Sequence, residues 1–418
     1  MKKTIQILLY IFIIGLLTST AAMSSAIYLL TLVVIGYWAF NAIKSKNKCE
    51  SFWPKVGPDK YLWLYWAVIT MGAVAIPDIP THKIRWEVFT EGKWIAYLYA
   101  LTFSFIFLKG CDRKFINTLA VVAVPVSLYS IFQCFTGIDF VRTPNPNYIL
   151  TGTDLWRTRG FFSTPLTLAY SFALLFAGLV PFVLYKAIDL KKTFGRLFLV
   201  SIILIAATIV CTFVRGAWIA LVAQAALIFY LWDPKKAFKP MIASLIIGLI
   251  VTVSVPSIRH RVTSIADFQS HSTAVRFKLW QSNWEMFKEH PLLGIGARRN
   301  SEIVETYNMK LFGEPVMATN AHNNIMQVLA GVGIFGFIFW VMSMAGLFWV
   351  TFKNFKLSTR PWDKSLHLGS LAAQFGFHVG GLTQATFVDS EVLLMYCFWV
   401  ALSIATRGRE LTDRSLQV

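Results

Sequence analysis

LFLVSIILIAATIVCTFVRGAWIALVAQAALIFYLW, from Leu197 to Trp232, is two apolar runs joined at residues 214–216. A spanning helix needs about 20 largely apolar residues, and each run is close to that length. Joined so tightly, the two runs must turn back as a membrane hairpin, because hydrocarbon offers no partner to unpaired backbone groups. Lys191, Lys192 and Arg196 precede the hairpin, and Lys235, Lys236 and Lys239 follow it. Positive charge on both flanks assigns them to the cytoplasmic side, which leaves the turn and Arg215 on the other side.

The same pattern extends outward over all 418 residues, of which 56% are hydrophobic. Twelve segments read as spans: 5–21, 23–43, 61–78, 93–109, 115–136, 162–185, 197–213, 216–232, 241–256, 325–352, 366–387 and 391–405. The first two are joined as closely as the 197–232 pair and make a second hairpin. Basic residues gather at alternate connections, as at Lys109, Arg113 and Lys114, at Lys353, Lys356, Arg360 and Lys364, and at Arg407, Arg409 and Arg414. The expected fold class is an all-α polytopic membrane protein with about 12 transmembrane helices, a single integral membrane domain over residues 1–418. Both termini are expected in the cytoplasm. The formal charge of +18 is then mostly topological, so membrane lipids are expected neighbours and nucleic acid is not an expected partner.

Met1-Lys2-Lys3 and the apolar run behind it resemble a signal sequence, with Ser19, Ala21 and Ala22 as a cleavage region. The second apolar run, which follows at once, favours an uncleaved first helix. Cys49 and Cys111 fall on the cytoplasmic side, and Cys134, Cys211 and Cys397 lie in or near apolar segments. None has metal-ligand spacing, so no metal site and no disulfide framework are expected.

One stretch cannot be membrane: residues 257–323, a large loop between helices 9 and 10. Its expected side in a bacterium is the periplasm. The smaller outer connections are 79–92, 138–161 and the short link near Asp389. Within the large loop, 272–290 reads as an amphipathic helix. Phe277, Trp280, Trp284 and Phe287 form one aromatic face, with Arg276, Asn283 and Lys288 off it. Such a helix rests against lipid or the bundle at headgroup depth, as a structural lid or as a substrate-facing wall. It stops at His290-Pro291, and 292–296 reads as a tight apolar turn.

Four places on the outer face could carry chemistry. Arg215, flanked by apolar residues, either snorkels to headgroups or clamps an anion inside the bundle mouth, where Gly216 permits close approach. Arg157 and Arg159 stand in an outer loop against the inside bias of the other basic residues. Arginine suits bidentate binding of phosphate or diphosphate. Arg276 opens the amphipathic helix. His322 lies at the N-terminal end of the tenth span, where the helix dipole disfavours imidazolium, and a neutral ring can accept a proton from a sugar hydroxyl. Asn320, Asn323 and Asn324 are its capping or hydrogen-bonding neighbours. Asp267, Glu302, Glu305 and Glu314 are alternative bases that no spacing singles out, and His378 reads as an interhelical packing residue. These residues alone leave an enzyme and a transporter both open.

Several motifs together carry a family resemblance. They are Thr212-Phe-Val-Arg215-Gly-Ala-Trp, Arg276-Phe-Lys-Leu-Trp280, His290-Pro-Leu-Leu-Gly294-Ile-Gly296, and His322-Asn323 followed by Gly333 and Gly336. In order and sidedness they resemble the bacterial O-antigen ligase/polymerase superfamily, over about 159–336. The resemblance implies an O-antigen ligase of the bacterial inner membrane, acting in lipopolysaccharide biosynthesis. It would move a polysaccharide from undecaprenyl diphosphate to a lipid A-core sugar, in a periplasm-facing active site, without metal or cofactor. Carried over, Arg215, Arg276 and His322 are the implied catalytic residues. The two arginines would hold the diphosphate, with Arg159 as a further contact and Asn323 and Arg157 as support. After Gly336, Phe337-Ile338 departs from the small and β-branched ending of ligases. The alternatives are a polymerase, whose acceptor is a second lipid-linked glycan, and a transporter of an anionic lipid-linked substrate. A transporter would call for ionisable residues at helix midpoints or paired broken helices.

Overall fold

The computed structural model describes residues 1–44, 54–76, 86, 88–143, 145, 148–150, 154–254, 256–263, 271–316 and 320–415. The expectations placed on Cys49, Asp267 and most of the 79–92 loop lie outside these residues. Among the described residues, regular structure is helical, apart from one isolated bridge between Ile149 and Trp156.

The helices are α1 (Lys2–Thr18), α2 (Thr20–Lys44), α3 (Asp59–Ala75), α4 (Lys93–Phe107), α5 (Asp112–Thr136), α6 (Pro165–Leu184) and α7 (Thr193–Cys211). They continue as α8 (Arg215–Trp232), α9 (Pro234–Ser254), α10 (Pro256–Thr263), α11 (His271–Glu289), α12 (Asn300–Phe312), α13 (Asn324–Leu357), α14 (Pro361–Gly380) and α15 (Ser390–Ser415). Each apolar segment read from the sequence coincides with one of them. Seven (α2, α5, α6, α7, α8, α13 and α15) are long and apolar enough to cross a membrane by length and composition.

The first hairpin forms as expected: a Cβ on Gly15 would meet the Met23 backbone nitrogen at 2.6 Å, so α1 and α2 cross in close contact. The second behaves differently. Its turn is tight, with Phe213 in the left-handed region at φ 53°, yet its arms diverge. α7 lies along α5 and α6, whereas α8 runs along α14 and α6. Small residues on α8 explain the choice. Gly216 and Ala220 pack against Tyr170 of α6 and Gly380 of α14, an approach that a larger side chain would block. Deeper in the bundle, Gly369 of α14 abuts the Gly178 carbonyl of α6, and Gly178 receives the Trp399 ring of α15.

The bundle has two distinct ends. At one, Trp362 Nε1 donates to Asp112 Oδ2 (2.6 Å), Arg113 lies over the Trp362 ring, and Lys186 and Arg360 line the same cavity of about 510 Å3. At the other end the chain leaves α5 and α7, enters α6, α8 and α13, and links α14 to α15. The candidate residues lie at this second end, remote from the basic one.

α13 is not the single rod that its hydropathy suggests. It breaks at Gly333 (φ 63°, ψ −169°), a conformation open to glycine and strained for side-chain-bearing residues. A broken helix leaves carbonyls without amide partners. Here Ile295 N bonds the Ala330 carbonyl, Gly296 N bonds the Gly331 carbonyl (both 3.0 Å), and Ile334 N bonds the Pro291 carbonyl at 2.8 Å. The apolar turn after His290 therefore fills the break in α13. Gly294 (φ 68°) fits because nothing larger clears the Ala330 carbonyl, 2.5 Å from an added Cβ.

The large loop holds α10, α11 and α12, of which only α11 was anticipated. Of the two places open to the aromatic face of α11, lipid or the bundle, the structure leaves part of it outward. Phe277 and Trp284 are each 45% exposed, and the buried face is Leu279, Ser282, Asn283 and Met286. Asn283, read as lying off the aromatic face, is at the centre of the buried one. Burial of a polar residue is tolerable when each polar atom finds a partner, and this one does.

Candidate functional site at one end of the bundle

The segment that reaches His322 is built by a ladder of side-chain amides. Asn283 of α11 donates to the Leu279 carbonyl (2.8 Å), and its Oδ1 receives Asn300 Nδ2 of α12 (2.5 Å). Asn300 Oδ1 receives Gln327 Nε2 (2.7 Å), and Gln327 Oε1 receives the Ala321 amide (2.8 Å). Trp280 Nε1 closes the circuit on the Ala321 carbonyl at 3.0 Å. Such a network fixes its members because an unpaired buried amide is expensive. The strand before α13 is thus held by two helices of the large loop.

Asn323 caps α13, accepting from the amides of Ile325 (2.8 Å) and Met326 (3.1 Å) and donating to the Leu382 carbonyl (3.1 Å). His322, immediately before it, sits at φ 46°, and its amide donates to Asn320 Oδ1. The ring lies 2.5 Å, Nδ1 to Oε1, from Gln384. Because a carbonyl oxygen only accepts, Nδ1 carries the hydrogen and Nε2 keeps its lone pair. Burial holds this imidazole below its ordinary pKa against an opposing pull from Gln384, and the Arg276 charge adds to the lowering. The ring is therefore neutral with a basic nitrogen free of the Gln384 contact.

His322 and Gln384 open on a cavity of about 980 Å3, whose wall also carries Ser163, Thr167, Arg298, Glu305, Asn320 and Asp389. Asp389 accepts from Thr167 Oγ1 at 2.7 Å. Burial, then the neighbouring Glu391 charge, pushes its carboxyl up to about 7. Arg298 crosses the rim, pairing with Glu91 (2.9 Å) and donating to the Val388 carbonyl (3.2 Å).

Arg276 and Arg215 stand behind this wall. Arg276 acts electrostatically on both His322 and Tyr170. Tyr170 bonds Thr383 at 3.0 Å, next in sequence to Gln384, and Gly216 packs against both hydroxyls. Arg215 is half-buried in the first turn of α8, beside that contact. His322 and Arg276 thus lie near the Tyr170, Thr383 and Gln384 side chains, and Gly216 brings the first turn of α8, which carries Arg215, to the same contact.

Arg157 and Arg159 do not join them. Arg159 is paired with Asp139 at 2.9 Å, donates to the Thr143 carbonyl and lies over the Tyr148 ring. Arg157 Nε donates to the Thr212 carbonyl at 3.2 Å, bracing the turn that leads to Arg215. Both line a separate recess of about 20 Å3. Gln384, Asp389 and Arg298 were missed by the sequence reading. Asp389 and Glu391, a carboxylate pair in the short link between two apolar helices, were a usable signal, because ionisable residues at such borders are expensive to keep. Gln384 and Arg298 gave no such signal.

A helical membrane protein with a polar cavity at one end, backed by arginines and a neutral histidine, is the class that these features define. Residues 199–341 match the family model described as O-antigen ligase. Over that third of its length the chain is similar to the O-antigen ligase/polymerase superfamily, as its motifs implied. It is similar to the teichuronic acid biosynthesis protein TuaE of Bacillus subtilis, 23% identical over 147 residues. That match covers 35% of this chain and 28% of the relative, so it spans little more than a quarter of the relative's length.

Proposed function

We propose that this chain is a glycosyltransferase of the O-antigen ligase type. In this reading it crosses the inner membrane about twelve times, has both termini in the cytoplasm and opens its 980 Å3 cavity to the periplasm. The donor is a glycan on undecaprenyl diphosphate and the acceptor a hydroxyl of the lipid A-core. The observation that carries it is His322, neutral with Nε2 unprotonated, at a cavity within electrostatic reach of Arg276 and close to the first turn of α8, which carries Arg215. Nε2 takes the proton of the acceptor hydroxyl as its oxygen attacks the anomeric carbon. The bond from that carbon to the diphosphate oxygen breaks. Arg215 and Arg276 offset the charge that builds on the departing diphosphate, and loss of one such donor typically costs about 10²–10³ in rate. Direct displacement inverts the anomeric centre. The arginines do this without a metal in the proposed step.

A second reading is kept because one relative is named for teichuronic acid and not for lipopolysaccharide. There the same donor chemistry extends a second lipid-linked glycan. Transport is less well supported. The one break seen in a described membrane helix, at Gly333, is filled by the turn after His290 and does not face an open path.

The test is reconstitution with an undecaprenyl diphosphate glycan and either lipid A-core or a second lipid-linked glycan. Product on lipid A-core supports ligation, and a lengthened lipid-linked glycan supports polymerisation. No covalent product from either pair, or a retained configuration at the new linkage, overturns the proposal. Arg215→Ala and His322→Ala are expected at normal protein levels without glycan transfer.

A further inference from the structure

At the same end of the bundle, α5 and α7 finish with cysteines that the transfer chemistry does not use. We propose that Cys134 and Cys211 are a disulfide site, oxidised in the mature protein to a cross-link between α5 and α7. The loop between them fixes the geometry. Trp156 N bonds the Cys134 carbonyl at 2.9 Å, and Thr158 N bonds the Cys211 carbonyl at 3.2 Å. In an extended segment, amides two residues apart point the same way and lie about 7 Å apart. Both cysteine carbonyls therefore meet one side of this segment, which brings the ends of α5 and α7 together. Their side chains share one small apolar cluster with Phe213 and Ile258, near enough for the two thiols to interact.

Access differs between the two in a useful way. Cys134 is 2% exposed, whereas Cys211 is half-buried on the neighbouring helix. Cys211, the more accessible of the two, loses its proton as it attacks the disulfide of a thiol–disulfide oxidoreductase, forming a mixed disulfide and releasing one thiol of the oxidant. Cys134 then attacks Cys211 Sγ and expels the second. The cysteines lose two protons and two electrons, and the oxidant's disulfide becomes a dithiol. The product bond would tie down the 156–158 segment and the 212–214 turn, and through that turn Arg215.

The compartment rests on the reading of this end as periplasmic, since an oxidising environment is needed. The bond itself can be read without any glycan. Cells expressing the full chain are quenched in acid, alkylated with a maleimide under denaturing conditions, digested and analysed by mass spectrometry. The expected result is a peptide pair joined through Cys134 and Cys211, with both residues alkylated only after reduction. Reductant should also slow glycan transfer several-fold in the native chain while leaving a Cys134→Ala/Cys211→Ala variant indifferent to it. Full alkylation of both cysteines without reduction overturns the proposal. So does a linked pair whose reduction changes neither transfer nor the melting temperature, because the bond would then constrain nothing. A failure of the transfer reading shows instead as a linked pair in a protein that makes no glycosidic product.

Discussion

His322 is held by two opposing neighbours, and each can be removed separately. Gln384 pulls the imidazole pKa up, whereas burial and the Arg276 charge push it down. Transfer that needs Nε2 unprotonated should persist to lower pH than an ordinary imidazole allows. In Gln384→Leu the acid limb of the pH–rate profile should move lower still, because the upward pull is gone. In Arg276→Gln the residual activity should show the limb moving up. Parallel shifts in the two variants, or none, would detach His322 from the acid limb. Asp389 offers a stability readout at the same cavity. Its carboxyl is raised from 3.8 to about 7, so the protonated form is favoured in the folded state. The associated stability is complete below about pH 4 and is lost as pH rises through about 7. Asp389→Asn should remove that decline, so its melting temperature stays flat between pH 4 and 7.5 where the native protein's falls. A decline of equal size in both would place the titration elsewhere.

Among the elements, α13 is where folding and site meet. Gly333→Ala puts a Cβ 2.4 Å from the Leu292 carbonyl group and asks alanine for a left-handed φ. The backbone conformation alone costs roughly 1–2 kcal/mol. The expected result is a lower melting temperature and faster proteolysis within 290–300, because the turn is expelled with the break. Gly313→Ala is the comparison, having positive φ but open space around it, and should be milder. If Gly313→Ala proved as damaging, strain and not interlock would be the cause. The break was not legible in the sequence, since 325–352 is apolar throughout and Gly333 and Gly336 entered only as part of a family motif. What satisfies the opened carbonyls comes from Ile295 and Gly296, over thirty residues earlier, and local pattern carries no trace of such a pairing. For α11 the period was legible and the buried face was not. The pattern left the aromatic stripe open to lipid or to the bundle, and the Asn283–Asn300–Gln327 ladder makes a polar face the one enclosed. Phe277 and Trp284 remain outward, where an interfacial helix meets headgroups.

At the scale of the whole molecule, sidedness is the property that the residues imply most strongly and the folded bundle expresses most simply. Arg113, Lys186 and Arg360, far apart in sequence, surround one cavity at the end opposite His322. Charge bias along the chain was enough to separate the two ends. It also placed Arg215, Arg276 and His322 on a common face, because alternation of apolar spans leaves no other arrangement. It did not bring Arg159 to the cavity, since the choice between Asp139 and a ligand is made by the fold of a loop. The two-ended arrangement yields a direct measurement. In a chain whose own cysteines are replaced, Glu305→Cys lies on the His322 cavity and is exposed, and Lys114→Cys is exposed at the basic end. An impermeant maleimide applied to spheroplasts should label the first and spare the second until the membrane is opened. The reverse pattern would put His322 in the cytoplasm, where a lipid-linked donor awaiting export would replace the periplasmic one. Equal labelling would mean that the two ends are not separated by a bilayer, and the spanning role of α6, α8 and α13 would fail with it.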